Sequence, residues 1–175
     1  PIYSINAAFE IDEAIALAEG DLVLLVDYYG LCRTQIENQL ALFPKNSVVV
    51  DCSQAWFQAP FDCLATIYSP RKFLPVPDGG VVHTSLQLDT QETDERSSLE
   101  RYQYLLERVT GEPEASRQLY LESEAQLEEP SLRGMSSFTR KLIEVAEQDF
   151  VKARRARNWN ALSDLSAVNQ LGFEL

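Results

Sequence analysis

The sequence predicts an α/β fold, with a mostly parallel sheet and flanking helices in its first half and a helical C-terminal half. Two apolar runs carry this prediction. Ser47 to Gln54 contains Val48-Val49-Val50 leading into Asp51, and Ala65 to Ser69 reads Ala-Thr-Ile-Tyr-Ser. The first is near-continuous rather than alternating, as expected of a parallel strand buried on both faces. The third observation is a change of pattern after Gly79-Gly80, where acidic stretches with apolar residues at helical spacing take over.

Taken in order, Ile11 to Glu19 reads as a short helix with Ile11, Ala14, Ile15 and Ala18 on one face and Gly20 closing it. Asp21 to Tyr28 is a strand. Leu31 to Phe43 is a helix with Ile36, Leu40 and Phe43 on one face, stopped by Pro44 ahead of the strand that ends at Asp51. After Ala65 to Ser69 come Pro70-Arg71-Lys72, and the chain then runs through Leu74-Pro75-Val76-Pro77-Asp78 to a Gly-Gly turn. That turn leads into a strand over Val81 to Thr84. Four sheet strands result, three parallel and a last one open to antiparallel pairing. Helices follow at Thr93 to Thr110, Glu114 to Leu127, Ser136 to Asp149 and Phe150 to Leu165, punctuated by Pro113, Pro130 and Gly134.

With 175 residues, of which 45% are hydrophobic, the chain is long enough to bury a core as one globular unit. A net charge of −12 argues against a nucleic-acid or anionic-membrane partner, because neutralising phosphates needs clustered basic residues. The one basic cluster is Lys152, Arg154, Arg155 and Arg157. It reads either as a solvated or carboxylate-paired helix face or as an anion site. Cys32, Cys52 and Cys63 are odd in number and lack metal-ligand spacing, which points to a reduced, cytoplasmic compartment and gives no support for a metal. No apolar stretch approaches the roughly 20 residues that span a bilayer. His83 follows two valines in a strand and reads as a core or surface histidine rather than a base.

Asp51 and Lys72 fall at the ends of neighbouring strands, at the edge where open α/β sheets bind ligands. Each also has a plain structural reading. Asp51 can cap the turn that follows it, and a lysine beside prolines is usually a surface residue. Tyr68 and Arg71 read as packing and ion pairing.

These residues resemble the DegT/StrS-type (DegT/DnrJ/StrS-like) sugar aminotransferases, a family of fold-type-I enzymes that use pyridoxal 5'-phosphate. The resemblance lies in spacing as well as type. An aspartate ends a hydrophobic strand with a glutamine three residues on, Asp51 and Gln54, and a lysine precedes a glycine pair by seven and eight residues, Lys72 with Gly79 and Gly80. Ser136 to Leu165, with Arg154-Arg155 and Asn158-Trp159-Asn160, is similar to the family's long helix running into its small domain.

The resemblance implies roles. Lys72 would hold the cofactor as a Schiff base and shuttle a proton. Asp51 would pair with the pyridine nitrogen, Gln54 with the phenolic oxygen, and Ser69 with the phosphate. The reaction implied is transfer of an amino group from a donor such as glutamate to a nucleotide-linked keto sugar, in polysaccharide or related biosynthesis, by a homodimer. Related dehydratases replace the lysine with histidine, whereas Lys72 is present here. The sequence also departs from the family. Its usual phosphate-binding serine, five residues before the lysine, is Ile67 here, so Ser69 or Thr66 must substitute. A compact apolar loop with Trp56, Phe57, Pro60 and Phe61 replaces a glycine-containing one, and Asp27-Tyr28-Tyr29-Gly30 stands where a histidine is frequent. Family chains open with a glycine-containing phosphate loop and a ring-stacking aromatic that have no counterpart here. The expectation is therefore the central part of a larger protein, with 1–149 a partial cofactor-binding large domain and 150–175 the truncated start of the small one. The alternative reading is a catalytically inactive aminotransferase-like scaffold or binding fragment.

Overall fold

The runs of valine, leucine and isoleucine form the sheet seen in a computed structural model, which describes residues 3–11, 15–89, 95–126 and 133–163. Among these residues are four strands and six α-helices. The strands are β1 (Val23–Val26), β2 (Val48–Asp51), β3 (Ala65–Tyr68) and β4 (Val81–Thr84), in spatial order β1-β2-β3-β4. β1, β2 and β3 are parallel, and β4 runs antiparallel to β3. In register, Val26 pairs with Asp51 and Asp51 with Ile67, so the carboxyl ends of the three parallel strands are level.

Alternation along the strands divides the sheet into two unlike faces. Val23, Leu25, Val48, Val50, Cys52 and Thr66 are buried, packed with Ile36 and Cys32 from the segment that crosses from β1 to β2. The opposite face carries Leu24, which is 47% exposed, with half-buried Val49, Asp51 and Ile67. Asp51 therefore lies on the open face and Cys52 beside it on the closed one.

Helix α1 (Arg33–Leu40) is shorter than the predicted Leu31 to Phe43, because residues 41–43 leave the helix in a turn before Pro44. The expected helix at Ile11 to Glu19 is corrected. Ile11 forms an antiparallel bridge with Ile5, residues 15–18 are not helical, and 12–14 lie outside the described residues. Side chains outcompete the helix there. Asn6 Oδ1 accepts from the amides of Ala8 (2.8 Å) and Glu10 (3.1 Å), Gln39 Oε1 takes the Ile11 amide (3.1 Å), and Asp21 Oδ2 takes that of Ala18 (2.8 Å).

The helical half contains α2 (Glu95–Arg101), α3 (Gln103–Thr110), α4 (Pro113–Ala125), α5 (Ser137–Val145) and α6 (Gln148–Ser163). The single helix predicted for Thr93 to Thr110 divides at Tyr102. Tyr102 keeps helical dihedrals, but its amide is shared between Ser98 and Leu99 carbonyls, both at 3.2 Å. Ser136 caps α5, its Oγ accepting the Thr139 amide at 3.0 Å, and Glu95 accepts from the amides of Ser137 (2.7 Å) and Phe138 (3.4 Å). Those donors hold the Glu95 carboxyl below its ordinary range, the Ser137 amide foremost. The boundary expected near Phe150 falls inside α6, and the predicted ends at Thr93, Leu127 and Leu165 lie outside the described residues.

Candidate functional site

The site is built where β2 and β3 end. Asp51 closes β2, and its carbonyl accepts the Asp27 amide at 2.9 Å, which keeps the strand ends together. Its Oδ1 accepts from the Ser53 amide at 2.7 Å, the turn-capping bond an aspartate after a strand is expected to make. Its Oδ2 has no donor among the described residues.

The lysine follows β3. Tyr68 ends the strand, and Ser69 leads into a single 3₁₀ turn over Pro70–Lys72, with proline at the first position where its missing amide costs nothing. Phe73 and Leu74 amides bond to the Pro70 carbonyl at 2.9 and 2.8 Å, so the turn is tight. Lys72 is exposed and makes no ion pair with a described residue, and the Ser69 hydroxyl makes no capping bond. Neighbouring Arg71 pairs with Glu124 on α4, which lowers the Glu124 carboxyl and accords with the ion-pairing role expected of Arg71.

Gln54 and the apolar loop sit between these two segments. Gln54 is half-buried, and its Oε1 is shut off from solvent without a partner among the described residues. Such an orphan oxygen is costly and marks a place where a donor is wanted. Trp56 packs edge-on to Tyr68 (centroids 6.1 Å) and Phe57 edge-on to Phe73 (5.6 Å), joining the loop after Asp51 to the turn that carries Lys72. Helix α6 reaches both: Trp56 Nε1 donates to Gln148 Oε1 at 3.1 Å, and Arg155 Nη2 donates to the Lys72 carbonyl at 3.0 Å.

Asp27, noted in the sequence only as standing where a histidine is frequent, is fully buried just past β1. Its Oδ1 accepts the Cys32 amide at 3.1 Å, while Oδ2 has no described partner. Burial pushes its carboxyl up, against the Cys32 amide and the Arg33 charge, which pull it down. Burial also drives the Cys52 thiol and the Tyr68 phenol, on the same face, up to about 12 each. The available signal was parity: Asp27 continues the Val23, Leu25 series and so belongs to the closed face.

A second polar centre lies where the chain enters the glycine pair. Asp78, 6% exposed, accepts from Ser98 Oγ (2.6 Å), Arg101 Nη2 (2.5 Å) and Arg101 Nε (3.0 Å) at Oδ2, and from Thr139 Oγ1 (2.5 Å) at Oδ1. Gly79 beside it has φ +94°, a conformation that favours glycine. A polar cavity of about 540 Å³ opens next to it, lined in part by Gly79, Gly80, Ser98, Arg101 and Ser136. None of Asp51, Gln54, Ser69 or Lys72 lines it. Among the described residues no cluster of histidine, cysteine and acidic side chains is arranged to hold a metal, and no helix is long and apolar enough to cross a membrane. His83 is exposed on β4.

Comparison of the chain with protein-family models, with curated proteins and with solved structures finds no match.

Proposed function

We propose that this chain is the core of a pyridoxal-phosphate-dependent enzyme that transfers an amino group to a keto-sugar nucleotide. One observation carries the reading. Two adjacent parallel strands end level with each other, one in Asp51 and the other a short turn before Lys72, and the strand after Gly79-Gly80 returns antiparallel. This is the strand pattern that the resemblance implies for a cofactor-binding large domain.

The donor set fits the cofactor chemically. Among the described residues, Lys72 supplies an amine without an ion-pair partner, Asp51 a carboxylate with one oxygen uncommitted, Gln54 an amide with an orphan buried oxygen, and Ser69 a hydroxyl without a capping bond. The cofactor, when bound, supplies an electron sink for a carbon that gives up a proton. Lys72 Nζ would hold it and carry that proton, and Asp51 would orient the ring and keep its nitrogen protonated. Gln54 would meet the phenolic group, its Oε1 accepting from that hydroxyl, and Ser69 would meet the phosphate. The keto-sugar nucleotide, a donor such as glutamate, the homodimer and the cytoplasmic setting rest on the resemblance.

Titrating the full-length protein with pyridoxal phosphate tests the reading: saturable visible absorption is expected, lost in Lys72→Ala and weakened in Asp51→Ala. Absorption that is unchanged in Lys72→Ala contradicts it. The second reading, an inactive scaffold of the same descent, is favoured by the Asp51–Ser53 bond, which gives the aspartate a purely structural task. Under that reading Asp51→Ala loses stability and the wild type binds no cofactor.

A further inference from the structure

Arg155 belongs to the basic cluster that the sequence reads as a solvated face or an anion site; it is exposed, as a solvated face requires, and its guanidinium also makes contacts within the fold. Its guanidinium lies 4.5 Å from the Phe73 ring centroid, over the ring, while Nη2 donates to the Lys72 carbonyl at 3.0 Å. Two consecutive residues of the lysine turn are thus held by one side chain from a helix 83 positions away in sequence. The planar guanidinium alone can do both at once, stacking with its face and donating from its edge; a lysine ammonium cannot.

The contact closes a frame. Phe73 packs on Phe57, Trp56 of the same loop packs on Tyr68 at the end of β3, and Trp56 is tied to α6 again through Gln148. Gln148 is itself fixed, its Nε2 donating to the Ile143 carbonyl at 3.2 Å. The backbone of Lys72 therefore has a support on each side: its amide donates to the Ser69 carbonyl within the turn at 3.4 Å, and its carbonyl accepts from Arg155 outside it. The other members of the cluster, Lys152, Arg154 and Arg157, are exposed as Arg155 is, and make no ion pair with a described residue.

We propose that Arg155 is a positioning residue for Lys72: it fixes the turn so that the amine is presented to the carboxyl edge of the sheet in one orientation. The part of this that concerns the cofactor rests on the function proposed above, and the part that concerns the turn does not. Holding a reacting group to one geometry is worth far more than the single hydrogen bond that does it, since a displacement on the order of 1 Å can cost about a hundredfold in rate.

The test uses the full-length protein with Arg155→Ala, Arg155→Lys and, as a control at another exposed position of the same helix, Arg157→Ala. Amide hydrogen exchange of the peptide spanning Lys72 to Leu74 is measured without cofactor, and the visible circular dichroism of bound pyridoxal phosphate is measured at saturation. Arg155→Ala is expected to speed exchange in that peptide by roughly tenfold, to weaken cofactor binding by a similar factor and to reduce the dichroism that reports one fixed orientation. Arg155→Lys should recover only a fraction, and Arg157→Ala should match the wild type. Unchanged exchange in Arg155→Ala, or an equal effect of Arg157→Ala, overturns the proposal. If the wild type shows no cofactor dichroism, the cofactor reading fails, and exchange alone still decides whether Arg155 holds the lysine turn.

Discussion

Arg101 grips Asp78 with two nitrogens on one carboxylate oxygen, Nε at 3.0 Å and Nη2 at 2.5 Å, and both side chains are nearly sealed from solvent, 10% and 8% exposed. Asp78 lies between the lysine turn and the glycine pair, and Arg101 ends α2. With Ser98 and Thr139 on the same carboxylate, the pair joins the β3–β4 connection to α2 and α5 at a single point.

Removing one partner of a buried pair leaves the other charge stranded, which costs more than the pair itself contributes. Asp78→Ala is expected to lower unfolding free energy by about 3 kcal/mol in urea titration. A loss within experimental error of zero would show that the helical half is held by other contacts.

The glycine pair is asymmetric. A methyl group on Gly79 would meet Met135 Cε and Thr139 Cγ2, both at 3.1 Å, with φ at +94°, whereas on Gly80 the nearest atom is the Tyr68 carbonyl oxygen at 3.7 Å. Gly79→Ala should therefore cost about 1–2 kcal/mol and Gly80→Ala much less. Equal midpoints for the two variants in thermal melts would contradict this account of the turn.

Asp27 gives a pH dependence whose sign is fixed. Its folded-state carboxyl titrates above its ordinary value because of burial, so the folded state binds the proton more tightly than the unfolded one. Its contribution is fully present below the ordinary carboxylate range and is lost as pH rises through the raised value. Asp27→Asn keeps an oxygen for the Cys32 amide and cannot ionise. Its stability relative to wild type should grow as pH rises from acid to neutral, measured by denaturant midpoints across that range. A difference that stays flat or shrinks would contradict burial as the cause.

The three thiols should separate by reactivity. Burial pushes the Cys52 thiol up to about 12, with the Asp27 and Asp51 charges adding to it, and Cys32 is also sealed and raised. Cys63 is half-buried, bonded to the Ala65 carbonyl at 3.2 Å. Brief treatment of folded protein with a thiol reagent at neutral pH should label Cys63 alone, and unfolding should release the other two. Labelling of Cys52 at the rate of Cys63 would place the closed face of the sheet in doubt.

The sheet was legible because parallel strands leave an unmistakable trace: Val48-Val49-Val50 and Ala65 to Tyr68 form the strands predicted, and the last strand pairs antiparallel to β3. The helix expected at Ile11 was not, because Gln39 takes the Ile11 amide and Asp21 that of Ala18, and a partner 28 positions along the chain leaves no periodic signal. Strand ends placed Asp51 and Lys72 at one sheet edge. Arg155 stood out only as a member of a basic cluster, and Gln148 not at all, because a helix face that looks solvated acquires its partners only when the tertiary fold brings Phe73 and Trp56 to it. Asp78 was passed over as a turn residue, although an aspartate before two glycines must send its carboxylate somewhere.

The role proposed for Lys72, holding the cofactor, is open to a chemical test. The full-length protein is incubated with pyridoxal phosphate, reduced with borohydride and digested, and the modified peptide is located by mass, with Lys72→Ala as the control. The account predicts one dominant phosphopyridoxyl adduct, on Lys72, absent from the control. A folded protein that yields no adduct, or adducts scattered over Lys45, Lys141 and Lys152 at levels equal to Lys72, contradicts it.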